Sequence, residues 1–341
     1  MSGAVAEPIA ATLAAAAAAW GRSVELIADL SFSTRATVLR IAAGDDTAVA
    51  KQHADESARR LELDALRMLP PGTRPNLLAH NDEVIVMSDL GDGPSLADLL
   101  LGDDARLAEA ALLAWASTLG RIAAATVNAV PGGDVFVPAP RREALEEFSA
   151  GIGQSMPEGM WNEVEIAQEF LRADAAHVAF VPSDACPDNT RVTGDAVVLF
   201  DFEFSGWMPI AVPAAYCVVP FCSCWCLARL PDGFTERMVA AFCEMYARAT
   251  PDELRAGIAR AGSLQLLDLV PMFSRWLDAG DQPRPIGRAP STNQQRIVQR
   301  LDWIAAQHVV MPATATFAGH LAHAYRERHP SPALPLYPAF R

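Results

Sequence analysis

A short island of strand and turn, Val181–Glu203, sits inside an otherwise helical half of the chain and constrains its fold more than any other feature. It reads V-P-S-D-A-C-P-D-N-T-R-V-T-G-D-A-V-V-L-F-D-F-E. Pro187 stands between Asp184 and Asn189 and denies that stretch a helix, because proline lacks the amide and clashes with a preceding turn. Two apolar runs, Thr190–Val192 and Ala196–Phe200, flank Thr193-Gly194-Asp195, the composition of a β-hairpin. A hairpin folds the chain back, so Asp201 at its exit returns toward Asn189 at its entry. Asp184, Asn189 and Asp201 are thereby predicted to share one mouth.

Three oxygen donors gathered in this way suit a hard cation such as Mg²⁺, which takes a few oxygen ligands and keeps water for the rest. One carboxylate standing apart from the metal is what phosphoryl transfer needs to orient an acceptor hydroxyl. An isolated D-x₄-N is more often a turn-forming polar loop, so the rest of the chain has to decide. Of 27 basic residues a single one, Lys51, is a lysine. It ends the apolar run Thr47–Lys51, after a Gly44-Asp45-Asp46 turn. A compact ammonium on a flexible stem reaches a phosphate in a narrow cleft in a way that the planar guanidinium fork does not. Glu62, on a predicted helix over Ala54–Leu69, is placed to pair with Lys51; a surface pair with Arg59 or Arg60 is the competing reading.

The organisation agrees with this order of parts. Val24–Leu30, Thr37–Ala42, Ala48–Lys51 and Asn81–Leu90 read as strands, and the alanine-rich Ile9–Trp20 as an added amphipathic helix within residues 1–22. From Gly91 onward helices dominate, at Ala105–Ala129, Arg141–Gly151, Glu163–Ala175, Phe234–Ala249, Pro251–Ala261, Leu264–Asp278, Gln294–His308 and Ala315–Glu327. The proline-rich end, Pro330–Arg341, is expected to pack irregularly or fray. Gly91-Asp92-Gly93-Pro94 has the chemistry of a hinge, dividing a lobe of residues 1–90 from one of 91–341.

Composition excludes several classes of function. A formal charge of −14 with scattered arginines repels nucleic acid and anionic membrane and steers cationic ligands toward acidic clefts. The longest apolar stretch is too short to span a bilayer, and no basic segment precedes it as in a signal peptide; a cytoplasmic location is expected. Four of the six cysteines crowd into Cys217–Cys226 with spacing unlike structural zinc sites, and are expected as buried neutral thiols. His320 and His323 read as an exposed pair. No G-x-G-x-x-G, G-x₄-G-K-[ST] or G-x-S-x-G is present.

Taken in order, these pieces resemble the aminoglycoside phosphotransferase and choline kinase family, the small-molecule branch of the protein-kinase-like fold. V-A-K with Lys51, E-x-x-A-L-x-x-L with Glu62, V-M-S-D-L-G at the hinge, D-A-C-P-D-N with Asp184, Pro187 and Asn189, and L-F-D-F-E with Asp201 carry the resemblance over about Leu30–Trp207. It departs from the family in three places. Pro182-Ser183 stands where His-Gly is usual, the phosphate-covering loop Ser31-Phe32-Ser33-Thr34-Arg35 has no glycine, and Phe202-Glu203 follows the metal aspartate in place of Phe-Gly.

The resemblance implies an α+β, bilobal fold with a small antiparallel sheet and one helix followed by a large helical lobe. It implies transfer of the γ-phosphate of ATP, with GTP equally compatible, to a hydroxyl of a small molecule with Mg²⁺. Asp184 would orient the acceptor hydroxyl. Lys51, steadied by Glu62, would hold the phosphates, with Ser31, Ser33 or Thr34 above them and the backbone of Ser88, Asp89 and Leu90 at the base. Asn189 and Asp201 would hold the metal, with Glu203 either a further ligand or a cap. Asp268, Trp276 and Asp278 are candidate acceptor-lining residues on the C-terminal helices, an acidic and aromatic wall that would suit a cationic alcohol. No membrane or nucleic-acid partner is implied, and either a monomer or a homodimer is compatible. The alternative is a catalytically impaired relative that binds a nucleotide or a partner, motivated by Pro182-Ser183 and the glycine-free loop.

Overall fold

The computed structural model describes residues 7–127, 129, 132–219, 221–278 and 289–341, with backbone alone at 175 and 275–278. Strands β1 (Glu25–Asp29), β2 (Ala36–Ala43), β3 (Asp46–His53), β4 (Leu77–His80) and β5 (Ile85–Ser88) form one antiparallel sheet in the order β1-β2-β3-β5-β4. Successive strand side chains face opposite sides, and this sheet uses both. Ala48 and Ala50 on β3, with Val84 and Val86 on and beside β5, pack under α1 (Glu7–Trp20) through Ala15 and Ala16. Val49 on β3, with Ile85 and Met87 on β5, belongs instead to the core that includes Leu63 and Leu66 of α2 (Glu56–Met68). Lys51 shares the parity of Val49. A one-residue slip of β3 would turn it into the α1 face.

The α+β architecture is completed by a mainly helical remainder. Helix α3 (Leu96–Leu100) leads into α4 (Ala105–Thr126), the central helix, followed by α5 (Arg142–Gly151) and α6 (Met160–Ala173). The strand island then appears. β6 (Val178–Val181) pairs with β9 (Gly206–Pro209), and β7 (Thr190–Thr193) pairs with β8 (Ala196–Leu199) as the predicted hairpin. Helices α7 (Ala211–Val218), α8 (Phe234–Tyr246), α9 (Pro251–Asp278), α10 (Asn293–Ala305) and α11 (Pro312–Arg328) follow. None of the helices among the described residues is long and apolar enough to cross a membrane.

Two expectations are corrected here, and of the two outcomes expected for Pro330–Arg341, irregular packing or fraying, the first is found. The two helices predicted over Pro251–Ala261 and Leu264–Asp278 are one, α9. Gly262 does not end it; a Cβ there would lie 2.6 Å from the Trp303 ring of α10, so the missing side chain allows a close helix crossing. The C-terminal segment does not fray, since Tyr337 is fully buried and its amide donates to Arg229 O at 3.0 Å. The cysteines are not all free thiols. Cys186 and Cys224 form a disulfide, while Cys217, Cys222, Cys226 and Cys243 are free and buried. Pairing of this kind depends on which turns the fold brings together, and spacing does not reveal it.

Helix α4 crosses α8 at Gly120, where a Cβ would sit 2.2 Å from Phe242 O and 3.1 Å from Met245 Cβ. Backbone cannot yield there as a flexible side chain would, so Gly120→Ala is expected to overpack the crossing and destabilise the protein by about 1–3 kcal/mol. Denaturant unfolding monitored by tryptophan fluorescence measures this; an unchanged midpoint would show that the crossing relaxes freely.

Candidate functional site

The strand parity that turns Lys51 away from α1 places its ammonium in a cavity of about 830 Å³ between the sheet and the helical part. Lys51 is 6% exposed, and its Nζ lies 2.6 Å from Glu62 Oε2 and pairs with Asp201 Oδ1. Burial works against the charged ammonium, but Glu62 and Asp201 outweigh it and raise the Lys51 pKa above its ordinary value. Glu62 is fully buried; burial pushes its carboxyl up, while Lys51 and His53 bring it below its usual range. The surface pairing with Arg59 or Arg60 is not what Glu62 makes: Arg59 donates to Asn81 O instead. His53, two residues along the same strand face, meets Glu62 Oε2 at 2.7 Å through Nε2 and lies 3.6 Å from Glu203 Oε2 through Nδ1.

The opposite wall is built by the strand island. Asn189 Nδ2 donates to Asp184 O at 3.2 Å, and Phe200 N donates to Asn189 O at 3.0 Å. The hairpin therefore returns Asp201 to the mouth where Asp184 and Asn189 stand. Asp201 sits in the left-handed region at φ 64°, a conformation that aspartate adopts more readily than most residues. Trp115 Nε1, in the middle of α4, donates to Ala185 O at 3.1 Å and anchors the loop to the helical core. The Ser183 hydroxyl donates to Phe204 O, so the unusual Pro182-Ser183 pair is braced against the segment that follows Asp201.

Electrostatically the wall is crowded with acids. The Asp184 carboxyl is pushed up to about 6, by burial first and then by Asp188, Asp201 and Glu203, against the opposing charge of Arg35. Burial also raises Asp188 and Glu203, with the Asp201 charge adding to both. The donor set fits a hard divalent cation. With the Asn189 amide nitrogen spent on Asp184 O, its oxygen is left to ligate, and a cation relieves the repulsion among the carboxylates. Asp184, Cys186 and Cys224 also cluster, but two sulfurs bonded to each other offer no thiolate to a soft metal.

The other predicted positions divide. Ser33, Ser88, Asp89 and Leu90 line the cavity, and the backbone of Leu90 has no partner among the described residues. The Asp89 carboxylate is taken by Arg40 Nε at 2.9 Å. Ser31 and Thr34 do not line the cavity; the Ser31 hydroxyl accepts from Val38 N at 3.0 Å and closes its own loop. Asp268 is not brought to the site either, being paired with Arg141 Nε at 2.8 Å. The side chains of Trp276 and Asp278 lie outside the described residues. Residues that sequence reasoning missed stand near Asp184 instead. Asp188 accepts from Trp225 Nε1 at 2.7 Å, and Phe273 and the buried Arg296 share the lining. Only Asp188 had a visible signal, as a second acid within D-x₄-N. His320 and His323 are exposed, as expected.

No protein-family model matches the chain, and no curated protein sequence matches it. Solved structures do resemble it in fold. A putative fructosamine-3-kinase from Thermobifida fusca YX-ER1 gives a TM-score of 0.53 at 17% identity, covering 90% of this chain and 98% of that one. A spectinomycin phosphotransferase in complex with ADP and spectinomycin gives 0.50 at 12% identity, over 91% of this chain and 97% of its own. An amicoumacin kinase in complex with AMP-PNP, Ca²⁺ and Ami gives 0.50 at 14% identity, over 94% of each chain. At such identities the likeness is one of fold. The chain has the fold of the small-molecule kinases, a small antiparallel sheet followed by a mainly helical part.

The disulfide fastens Cys186, two residues beyond Asp184, to a turn 38 residues away. A cross-link over a loop of that length contributes about 2–4 kcal/mol, chiefly by restricting the unfolded chain. Cys224→Ser, or dithiothreitol on the unaltered protein, is expected to lower the thermal midpoint by several degrees, whereas Cys217→Ser should leave the response to reductant intact. A midpoint indifferent to reductant would show that the bond contributes nothing.

Proposed function

We propose that this protein is an ATP- and Mg²⁺-dependent phosphotransferase that moves the γ-phosphate to a hydroxyl of a small molecule. The observation that carries the reading is a convergence. The sole lysine of the chain, held by Glu62, meets Asp201 across a cavity whose far wall carries Asp184 and Asn189. The fold shared with small-molecule kinases supports it independently.

In this reading the nucleotide lies between a lobe of residues 1–90 and one of 91–341, hinged at Gly91-Asp92-Gly93-Pro94. Its base packs against Val49 and Met87 and meets the backbone of Leu90, all of which line the cavity. A contact of that kind is made by backbone groups and accepts ATP and GTP alike. Lys51 turns from Asp201 to the α- and β-phosphates while Glu62 keeps its ammonium in place. Asn189 and Asp201 are the residues that would hold the cation, which would supply charge neutralisation at the transferring phosphate. Asp184 stands apart from them, tied through its own backbone to Asn189, and receives the acceptor hydroxyl's proton as its oxygen bonds to the γ-phosphorus and the bond from that phosphorus to the departing nucleoside diphosphate's oxygen breaks. Positioning and fixed charge do most of the work in such a reaction.

The acceptor would occupy the space beside Asp184, against Asp188, Trp225 and Phe273. Two carboxylates and the Trp225 ring suit an alcohol that carries an amine, the class that the acidic composition also favours; the Phe273 ring already meets the Arg300 guanidinium at 4.0 Å. Asp268, paired with Arg141, has no part in this site.

Asp184 works as a base only when ionised, and burial with its acidic neighbours pushes its carboxyl up to about 6. The expected profile of kcat/KM is therefore a plateau above that pH and a fall of about tenfold per unit below it. Asp184→Asn should remove the limb and at least about 100-fold of the rate while sparing nucleotide affinity. Phosphate release or transfer, assayed with Mg²⁺ and ATP over a panel of amino sugars, amino alcohols and neutral sugars, measures both. Nucleotide binding without turnover on any acceptor would favour the binding-module alternative, and absence of nucleotide binding would sink the phosphotransferase reading and leave only a partner-binding module.

A further inference from the structure

The loop that covers the phosphates in the proposed reading, Ser31–Arg35, has no glycine to bring backbone amides close to a phosphate. Ser31 Oγ accepts from Val38 N at 3.0 Å, and Ser31 and Thr34 do not line the cavity; Ser33 lines it, its Oγ accepting from Arg35 N at 3.3 Å. The charged group that the loop sends into the cavity is a guanidinium. Arg35 lines it, pairs with Glu203 Oε1 on the opposite wall and lies over the Phe204 ring at 5.5 Å. Its charge is also felt by Asp184, whose carboxyl it pulls downward. Arg35 therefore pairs with Glu203 inside the same cavity that Asp184 lines.

The two partners are unequally held. The Arg35 side chain is 55% exposed, that of Glu203 only 5%. A half-exposed guanidinium paired with one carboxylate is held weakly. A terminal phosphate carries more charge and offers several acceptor oxygens to the same planar fork. Nor does Glu203 lose all polar company when Arg35 leaves. His53 Nδ1, buried and without a hydrogen-bond partner, lies 3.6 Å from its other oxygen.

We propose that Arg35 is the phosphate-binding residue of this glycine-free loop, parked on Glu203 until the terminal phosphate of a bound nucleotide takes it over. The inference rests on the phosphotransferase reading and deepens it. It assigns to a side chain the task that a glycine-rich loop performs with backbone, and it makes Glu203 a competitor for Arg35 rather than a cap.

The test is calorimetric titration of the full chain with adenosine, ADP and AMP-PNP, each with and without Mg²⁺. Arg35→Ala is expected to weaken AMP-PNP about tenfold or more, ADP less than about threefold, and adenosine not at all, with Arg35→Lys recovering part of the loss. Glu203→Gln removes the competitor and should tighten AMP-PNP several-fold in the unaltered background but not beside Arg35→Ala. That non-additivity separates an exchange from two unrelated effects. Overturning results are AMP-PNP bound by Arg35→Ala as tightly as by the parent, or equal weakening of all three ligands, which would mark a distorted loop. If the parent binds adenosine and AMP-PNP but no variant discriminates them, the exchange alone fails. If the parent binds none of the three, the nucleotide reading fails with it.

Discussion

A buried ammonium is tolerated only when its charge is answered, and the site is organised around how this fold answers that of Lys51. Removing a lysine from water costs several kcal/mol, and one carboxylate partner at good distance roughly offsets it. Lys51 has two, from different parts of the fold: Glu62 on α2 and Asp201 beyond the β7–β8 hairpin. The pairing thus does more than compensate a charge. It ties the sheet to the strand island, because Asp201 can reach Lys51 only if the hairpin returns the chain and Glu62 can reach it only if α2 lies on the face opposite α1.

That dependence explains which features could be read from the sequence. Lys51, Glu62, Asp184, Asn189 and Asp201 were legible because each lies on a short, strongly patterned element: an alternating strand, an amphipathic helix, a proline-broken loop, a hairpin with its turn residues. Local periodicity fixes which face such residues occupy, and the cavity follows from the faces. The features that were not legible need two distant segments at once. Gly262 reads as a helix end until the Trp303 ring is seen against it. Asp268 reads as a wall residue until Arg141, far off in the chain, claims it. Cys186 and Cys224 are 38 residues apart, and nothing in either neighbourhood announces the other. The Ser183 brace to Phe204 O is of the same kind; a hydroxyl to carbonyl contact across the island leaves no sequence signature.

The departures from the family pattern are also physically consistent with one another. Glu203 stands where the family that the chain resembles has a glycine, and without Arg35 from the loop a buried carboxylate there would face only His53 Nδ1, 3.6 Å away. The loop, in turn, lacks glycine but carries Arg35. Neither residue is simply a lost feature; each is the counterpart of the other. His53, meeting Glu62 on one side and facing Glu203 on the other, joins this pair to the lysine cluster. Five charged or ionisable side chains from β3, α2, the loop and the segment after Asp201 form one continuous network along the cavity.

Such a network has a direction. Two cations that face the cavity from the sheet side rest on carboxylates of the far wall, Lys51 on Asp201 and Arg35 on Glu203, while Arg40 on β2 is held by Asp89 and Asp92 beside the proposed hinge. The two contacts draw the walls together across the volume a triphosphate would fill. In the proposed reading, phosphates entering that volume would compete for both cations at once, and a divalent cation entering with them would answer Asp201, the carboxylate released beside Asn189. Coulomb energy lost at the two original pairs would be regained at the phosphates and at the metal within the same cavity, with His53 still facing Glu203. In that reading a phosphate without its metal would leave Asp201 without a cation, and a metal without phosphate would leave Lys51 with Glu62 alone. Charge balance alone thus favours joint entry of the two over entry of either.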